Sequence, residues 1–145
     1  MTPGMRRLFV AIAIFSVIGV AVSSVSLYHH YGTSKTDYCD IGENFNCDIV
    51  NRSVYSTVFG IPDALIGIFG YAVLLFLATK YRSRSEAPIV LFAGCLAGLS
   101  FALYLTYIEK YVLATWCILC LSSLTTISLL TILSAFLLVS SRRTA

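Results

Sequence analysis

Four of the five cysteines in this 145-residue chain fall into two pairs, Cys39 with Cys47 and Cys117 with Cys120. Thiol–disulfide exchange is the attack of a thiolate on a neighbouring disulfide, so two pairs that can meet form a relay for electrons. In the Cys-x-x-Cys pair, residues three apart share a helix face at a Cα separation of about 5 Å, which a disulfide can bridge. A thiolate in the first turn of a helix is stabilised by the unpaired N–H groups and the positive dipole end, which makes Cys117 the expected attacking or leaving sulfur. Three other readings compete. Cys39 and Cys47 can be a fixed loop staple, and Cys117 and Cys120 can pack as small hydrophobes. All four sulfurs can also bind zinc, although seven residues between Cys39 and Cys47 and no Gly-rich knuckle speak against it, and no metal is expected. Cys95 lies apart from the others and reads as packing.

The elements that must position these sulfurs are apolar helices. Mean hydropathy is +0.85 and only 12% of residues are charged, far from a soluble domain. Four apolar stretches, residues 8 to 28, 61 to 79, 88 to 108 and 116 to 139, are each close to the roughly 20 residues that cross about 30 Å of hydrocarbon. Backbone polar groups cannot stay unpaired in lipid, so these segments are predicted to be helical. Pro62 and Pro88 sit just inside two predicted starts, and Thr115 is the expected N-cap of the last. The expectation is a four-transmembrane-helix bundle in one domain, 1–145, with a long outer loop over residues 29 to 60. A cleaved secretory signal over residues 5 to 25 is the rival reading of the first helix, whose apolar run exceeds the 7 to about 15 residues of a signal core.

Orientation follows from Lys and Arg. Arg6, Arg7, Lys80, Arg82, Arg84, Arg142 and Arg143 fall on one side, whereas Lys35, Arg52 and Lys110 on the other are diluted by Asp37, Asp40, Glu43 and Asp48. Both termini are therefore expected in the cytoplasm and both cysteine pairs outside it, where disulfides persist. The net charge of +3 is used up as a topology signal, leaving no basic patch for nucleic acid. Cys47, Val50, Val54 and Val58 recur at helical spacing, predicting a short helix over roughly 47 to 58 with Cys47 turned inward. His29 and His30 are expected at the interface. Tyr104, Tyr107, Tyr111 and Phe101 form an aromatic stripe that reads as a membrane belt, with a pocket wall as the functional alternative. Trp116 carries the same two readings.

Cys39-Asp40, the spacing to Cys47, Ser53 six residues later, Thr57-Val58-Phe59-Gly60 and Trp116-Cys117-Ile118-Leu119-Cys120 together resemble the vitamin K epoxide reductase family. The likeness runs from about Tyr38 through the last helix. It implies a bundle around a quinone, with Cys39 meeting a secreted thioredoxin-fold thiol protein, Cys47 exchanging with Cys117, and Cys120 reacting with the quinone ring. Ser53 matches the family's loop Ser/Thr near the quinone, and Asp63 stands at the position of an Asn that hydrogen-bonds the quinone carbonyl in vertebrate members. Leu124 stands where those members have a Tyr. The chain therefore looks closer to bacterial homologues that make protein disulfides, and the expectation is a member without a fused thioredoxin-like domain. On that resemblance the expected activity is a thiol:quinone oxidoreductase of the cell inner membrane, using ubiquinone or menaquinone and fed by a periplasmic thioredoxin-fold partner. Reduction of a quinone epoxide and a non-catalytic tetraspan scaffold are the alternatives.

Overall fold

The computed structural model describes residues 2–31, 54 and 57–144. Four long helices dominate it: α1 (Pro3–Tyr31), α2 (Asp63–Thr79), α3 (Ala87–Ile108) and α4 (Ile118–Thr144). A short antiparallel hairpin of β1 (Thr57–Val58) and β2 (Ile61–Pro62) leads into α2. Both residues of its two-residue turn have positive φ, 54° at Phe59 and 80° at Gly60, the backbone sense that matches the twist of a tight hairpin.

α1, α3 with its continuation to Leu113, and α4 are long and apolar enough to cross a membrane. α2 is equally apolar but has 17 residues. At about 1.5 Å per residue it rises about 25 Å, slightly less than the hydrocarbon core. Hydroxyl groups along the helices are satisfied locally. Ser16, Ser24, Ser100, Ser122, Thr126 and Ser128 each donate to the carbonyl four residues back, so these polar side chains cost little in an apolar setting.

α1 lies between α2 and α4, α3 packs on α4, and the α2–α3 contact that closes the ring is the sparsest of the four. The core near the chain termini is built from Phe9, Ile12, Ala78, Ala87, Leu91, Leu130 and Leu137. Cys95 is fully buried in the same cluster, as its packing role requires. Ile14, Phe69, Phe76, Ile132 and Phe136 point outward, the face that lipid covers. Thr144 reaches Met5 at the end where both termini lie. Arg6, Arg7, Lys80, Arg82, Arg84, Arg142 and Arg143 flank the helix ends on that side.

Some expectations need correction. The predicted loop helix over 47 to 58 cannot reach 58, because Thr57 and Val58 pair as a strand with Ile61 and Pro62. Val54 is exposed rather than part of an inward stripe, and the rest of that helix, with Cys39, Cys47 and Ser53, lies outside the described residues. His29, in the last turn of α1, is buried among its neighbours, 1% exposed. Thr115 does not cap α4; its hydroxyl donates back to the Leu113 carbonyl.

Tyr71 ties three helices together. Its ring lies on Gly19 of α1, where any Cβ would collide with it, and its hydroxyl meets the Ser123 carbonyl at 3.0 Å and the Ser123 hydroxyl at 2.9 Å on α4. Replacing Gly19 with Leu forces that ring aside and is expected to cost about 1–3 kcal/mol, as overpacked cores do. The measurement is the denaturation midpoint in detergent, which should fall for Gly19→Leu. It should hardly move for Gly4→Ala, because a Cβ at Gly4 meets nothing within 4 Å.

Candidate functional site

The end of α3 builds the site. After Ile108 the helix widens into a single π-helical turn, Glu109–Leu113, which closes with Ala114 in the left-handed region at φ 50°. Ala114 and Thr115 both donate their N–H to the Glu109 carbonyl oxygen. The chain then reverses into α4. Single π turns of this kind recur at functional sites.

Cys117 caps α4 instead of lying inside its first turn. Its carbonyl accepts the first helical hydrogen bond, from Leu121 N–H at 3.0 Å. Its sulfur faces the N–H groups of Leu119 and Cys120. An N-cap side chain accepts from those two positions, so the thiol takes the place usually held by a Ser or Asp oxygen. Cys117 is fully buried and sits just ahead of the spanning helix. Its thiol is held below the ordinary range, chiefly because the Cys120 thiol donates to its sulfur, and the Cys120 and Leu119 amides add to the effect. Burial and the nearby Glu109 carboxyl oppose it. The expected asymmetry between the two sulfurs is present, with the Cys120 thiol as its main cause and the cap amides adding to it.

Cys120, one turn further, lines a cavity of about 410 Å³ between the four helices. Ligand pockets fall in a range of about 300–1,000 Å³. Small residues on the facing helices open the space: Gly67 and Gly70 on α2, Gly94, Ala97 and Gly98 on α3. A Cβ on Gly98 would come within 3.0 Å of Ile127 on the opposite wall. The lining is mainly apolar, with Ser23 and Ser26 from α1, Asp63 from α2 and Ser123 from α4 as polar points. Phe101 belongs to the wall, whereas Tyr104, Tyr107 and Tyr111 are more than half exposed, so the aromatic stripe divides between pocket and belt. Trp116 is half-buried beside Cys117.

Of the residues singled out by sequence, Cys117, Cys120 and Asp63 are brought to the same end of the bundle, opposite the basic one. Glu109 was overlooked. It is 1% exposed, its Oε2 accepts the Cys117 N–H at 3.2 Å, and the Cys120 thiol interacts with the same carboxyl. It directly follows the third apolar stretch, where a carboxylate is ordinary. The available signal was its isolation: no other Asp or Glu follows Glu86.

The sequence profile described as Vitamin K epoxide reductase family matches residues 10–135. A curated relative, Vitamin K epoxide reductase complex subunit 1 of Rattus norvegicus, is 30% identical over 139 aligned residues, covering 84% of this chain and 82% of the rat protein.

The capped thiol makes a pH prediction. In the reduced protein, thiolate absorbance is expected to show a step for Cys117 below the ordinary thiol range of about 8.5. Cys120→Ala removes the largest stabilising donor to that thiolate, so the step should move to higher pH.

Proposed function

The chain belongs to the vitamin K epoxide reductase family, and from that premise we propose that it is a membrane thiol:quinone oxidoreductase supporting protein disulfide formation. One observation carries the reading: the inner sulfur of a redox-type pair, Cys120, forms part of the wall of an apolar cavity at the end of the bundle away from the basic residues. The volume suits a planar ring of quinone size. The lining supplies few polar groups, and those are placed to orient carbonyls: Asp63, Ser23, Ser26 and Ser123. A quinone bound there supplies the two-electron acceptor.

The chain's own residues do the rest. A thiolate of a periplasmic thioredoxin-fold partner attacks the Cys39–Cys47 disulfide, forming a mixed disulfide at Cys39 and releasing Cys47. The partner's second thiol resolves it and leaves Cys39 and Cys47 reduced. Cys47 then attacks Cys117, breaking Cys117–Cys120 and freeing Cys120; Cys39 displaces Cys117 and restores the loop disulfide. The reduced pair loses two electrons to the acceptor and the S–S bond re-forms. Of the two sulfurs, Cys117 is the better leaving group, because the Cys120 thiol and the cap amides stabilise its thiolate. Ser53 and Asp63 are assigned to hold the quinone. We place one domain over 1–145 in the cell inner membrane with four spans, α2 being the shortest. The basic end faces the cytoplasm with both termini, and lipid surrounds the apolar faces.

The rat relative's name raises epoxide reduction as a second activity. Purified protein given a reduced thioredoxin-fold dithiol and ubiquinone or menaquinone is expected to bleach the quinone absorbance. Cys120→Ala should abolish this, and Cys39→Ala, which lacks the sulfur that displaces Cys117, should accumulate a Cys47–Cys117 disulfide detectable by mass spectrometry. A fixed scaffold would give neither result, and turnover of vitamin K epoxide with dithiothreitol would show the second activity.

A further inference from the structure

The pair's reaction releases a proton in a place with few acceptors. When Cys117 and Cys120 join, the Cys120 S–H bond must break. The Cys117 sulfur, which accepts that hydrogen in the resting pair, cannot keep it, because it becomes bonded to Cys120. Backbone amides around it are donors. What the turn does offer is Glu109. This side chain is buried to 1% exposure; its Oε2 is committed to the Cys117 N–H at 3.2 Å, and its Oε1 is buried with no well-formed hydrogen bond. Among the described residues no other buried side-chain oxygen or nitrogen is left so. Native proteins rarely leave such an atom unsatisfied, and the exceptions call for a reason. An ionisable group inside an apolar bundle is likewise a functional candidate with a partner to be named. Here the partner is the Cys120 thiol, which interacts with the same carboxyl.

We infer that Glu109 is the internal proton acceptor of the Cys117/Cys120 pair, receiving the Cys120 proton on Oε1 as the disulfide closes and returning it when the disulfide opens. This deepens the oxidoreductase reading and rests on it for the identity of the acceptor. In the closing step Cys117–S⁻, Cys120–SH and the Glu109 carboxylate become Cys117–S–S–Cys120 and the Glu109 carboxylic acid, with two electrons leaving. The S–H bond breaks, an O–H bond forms and the S–S bond forms. A quinone takes the two electrons, and two protons from solution complete the hydroquinone. The Glu109 carboxyl interacts with a reacting sulfur, that of Cys120, and is on that ground assigned a catalytic role, while its bond to the Cys117 amide positions the cap.

Glu109→Gln separates the two roles, since its amide oxygen still accepts the Cys117 N–H but takes up no proton. The protein is purified in detergent, reduced, and mixed once with a short-chain ubiquinone. Glu109→Gln is expected to slow this single turnover by about 10²–10⁴, the usual contribution of a positioned acid–base group. Quinone binding should be unchanged, and Glu109→Asp should recover part of the rate. Wild-type speed in Glu109→Gln overturns the inference. A second measurement needs neither the variant's turnover nor a quinone. Infrared difference spectra between the chemically reduced and oxidised wild-type protein should gain the C=O band of a protonated carboxyl on oxidation. Asp63→Asn should keep that band and Glu109→Gln should lose it. Its absence from wild type, or its loss in Asp63→Asn alone, overturns the inference. A band present in a protein that fails to reduce any quinone leaves Glu109 in its role and overturns the oxidoreductase reading instead.

Discussion

A buried carboxylate organises the reactive end of this bundle. Removing a charge from water costs several kcal/mol unless its environment compensates, and the turn after Ile108 does so only in part for Glu109, giving Oε2 the Cys117 amide and leaving Oε1 without a well-formed hydrogen bond. The π turn and the left-handed Ala114 bring the chain back across its own carbonyl, which takes two amides, and deliver the Cys117 amide to the carboxyl. That delivery fixes where α4 begins. Because α4 begins at Ile118, Cys117 becomes its cap and Cys120 reaches the cavity wall.

The cavity is the complement of this arrangement. α1 with α2 and α4 with α3 are closely packed pairs of helices, while α2 and α3 meet more loosely, and glycines on both keep the gap open. Tyr71 prevents collapse from the far side, because its ring is wedged on Gly19 and its hydroxyl is held on Ser123. Polar groups in the cavity are thus few, and Ser123 is held in place by Tyr71, which suits recognition of a flat molecule with two carbonyls better than of a charged one.

Much of the architecture was legible in the sequence because it rests on hydropathy and spacing. The four apolar stretches became four helices, with boundaries shifted by a few residues where helix ends extend past the apolar run. Cys117 and Cys120 were recognisable from spacing alone. Thr115 and Cys117 were harder, since both residues can end a helix and only the path of the preceding turn decides between them. Glu109 was hard to recognise for a related reason: apart from its isolation, a carboxylate near an outer turn is ordinary unless the turn tucks it inside, and that depends on a π turn no local propensity announces. His29 likewise follows the burial of the far end of α1 against its neighbours.

The cap on α4 couples chemistry to mechanical order. A sulfur locked into a disulfide is a far weaker acceptor than a thiolate, so each oxidation strips the opening coil of α4 of a fastening worth about 1 kcal/mol, the usual value of a cap. Reduction restores it. The mouth of the bundle should therefore breathe in step with its electron load, slack when emptied and taut when filled.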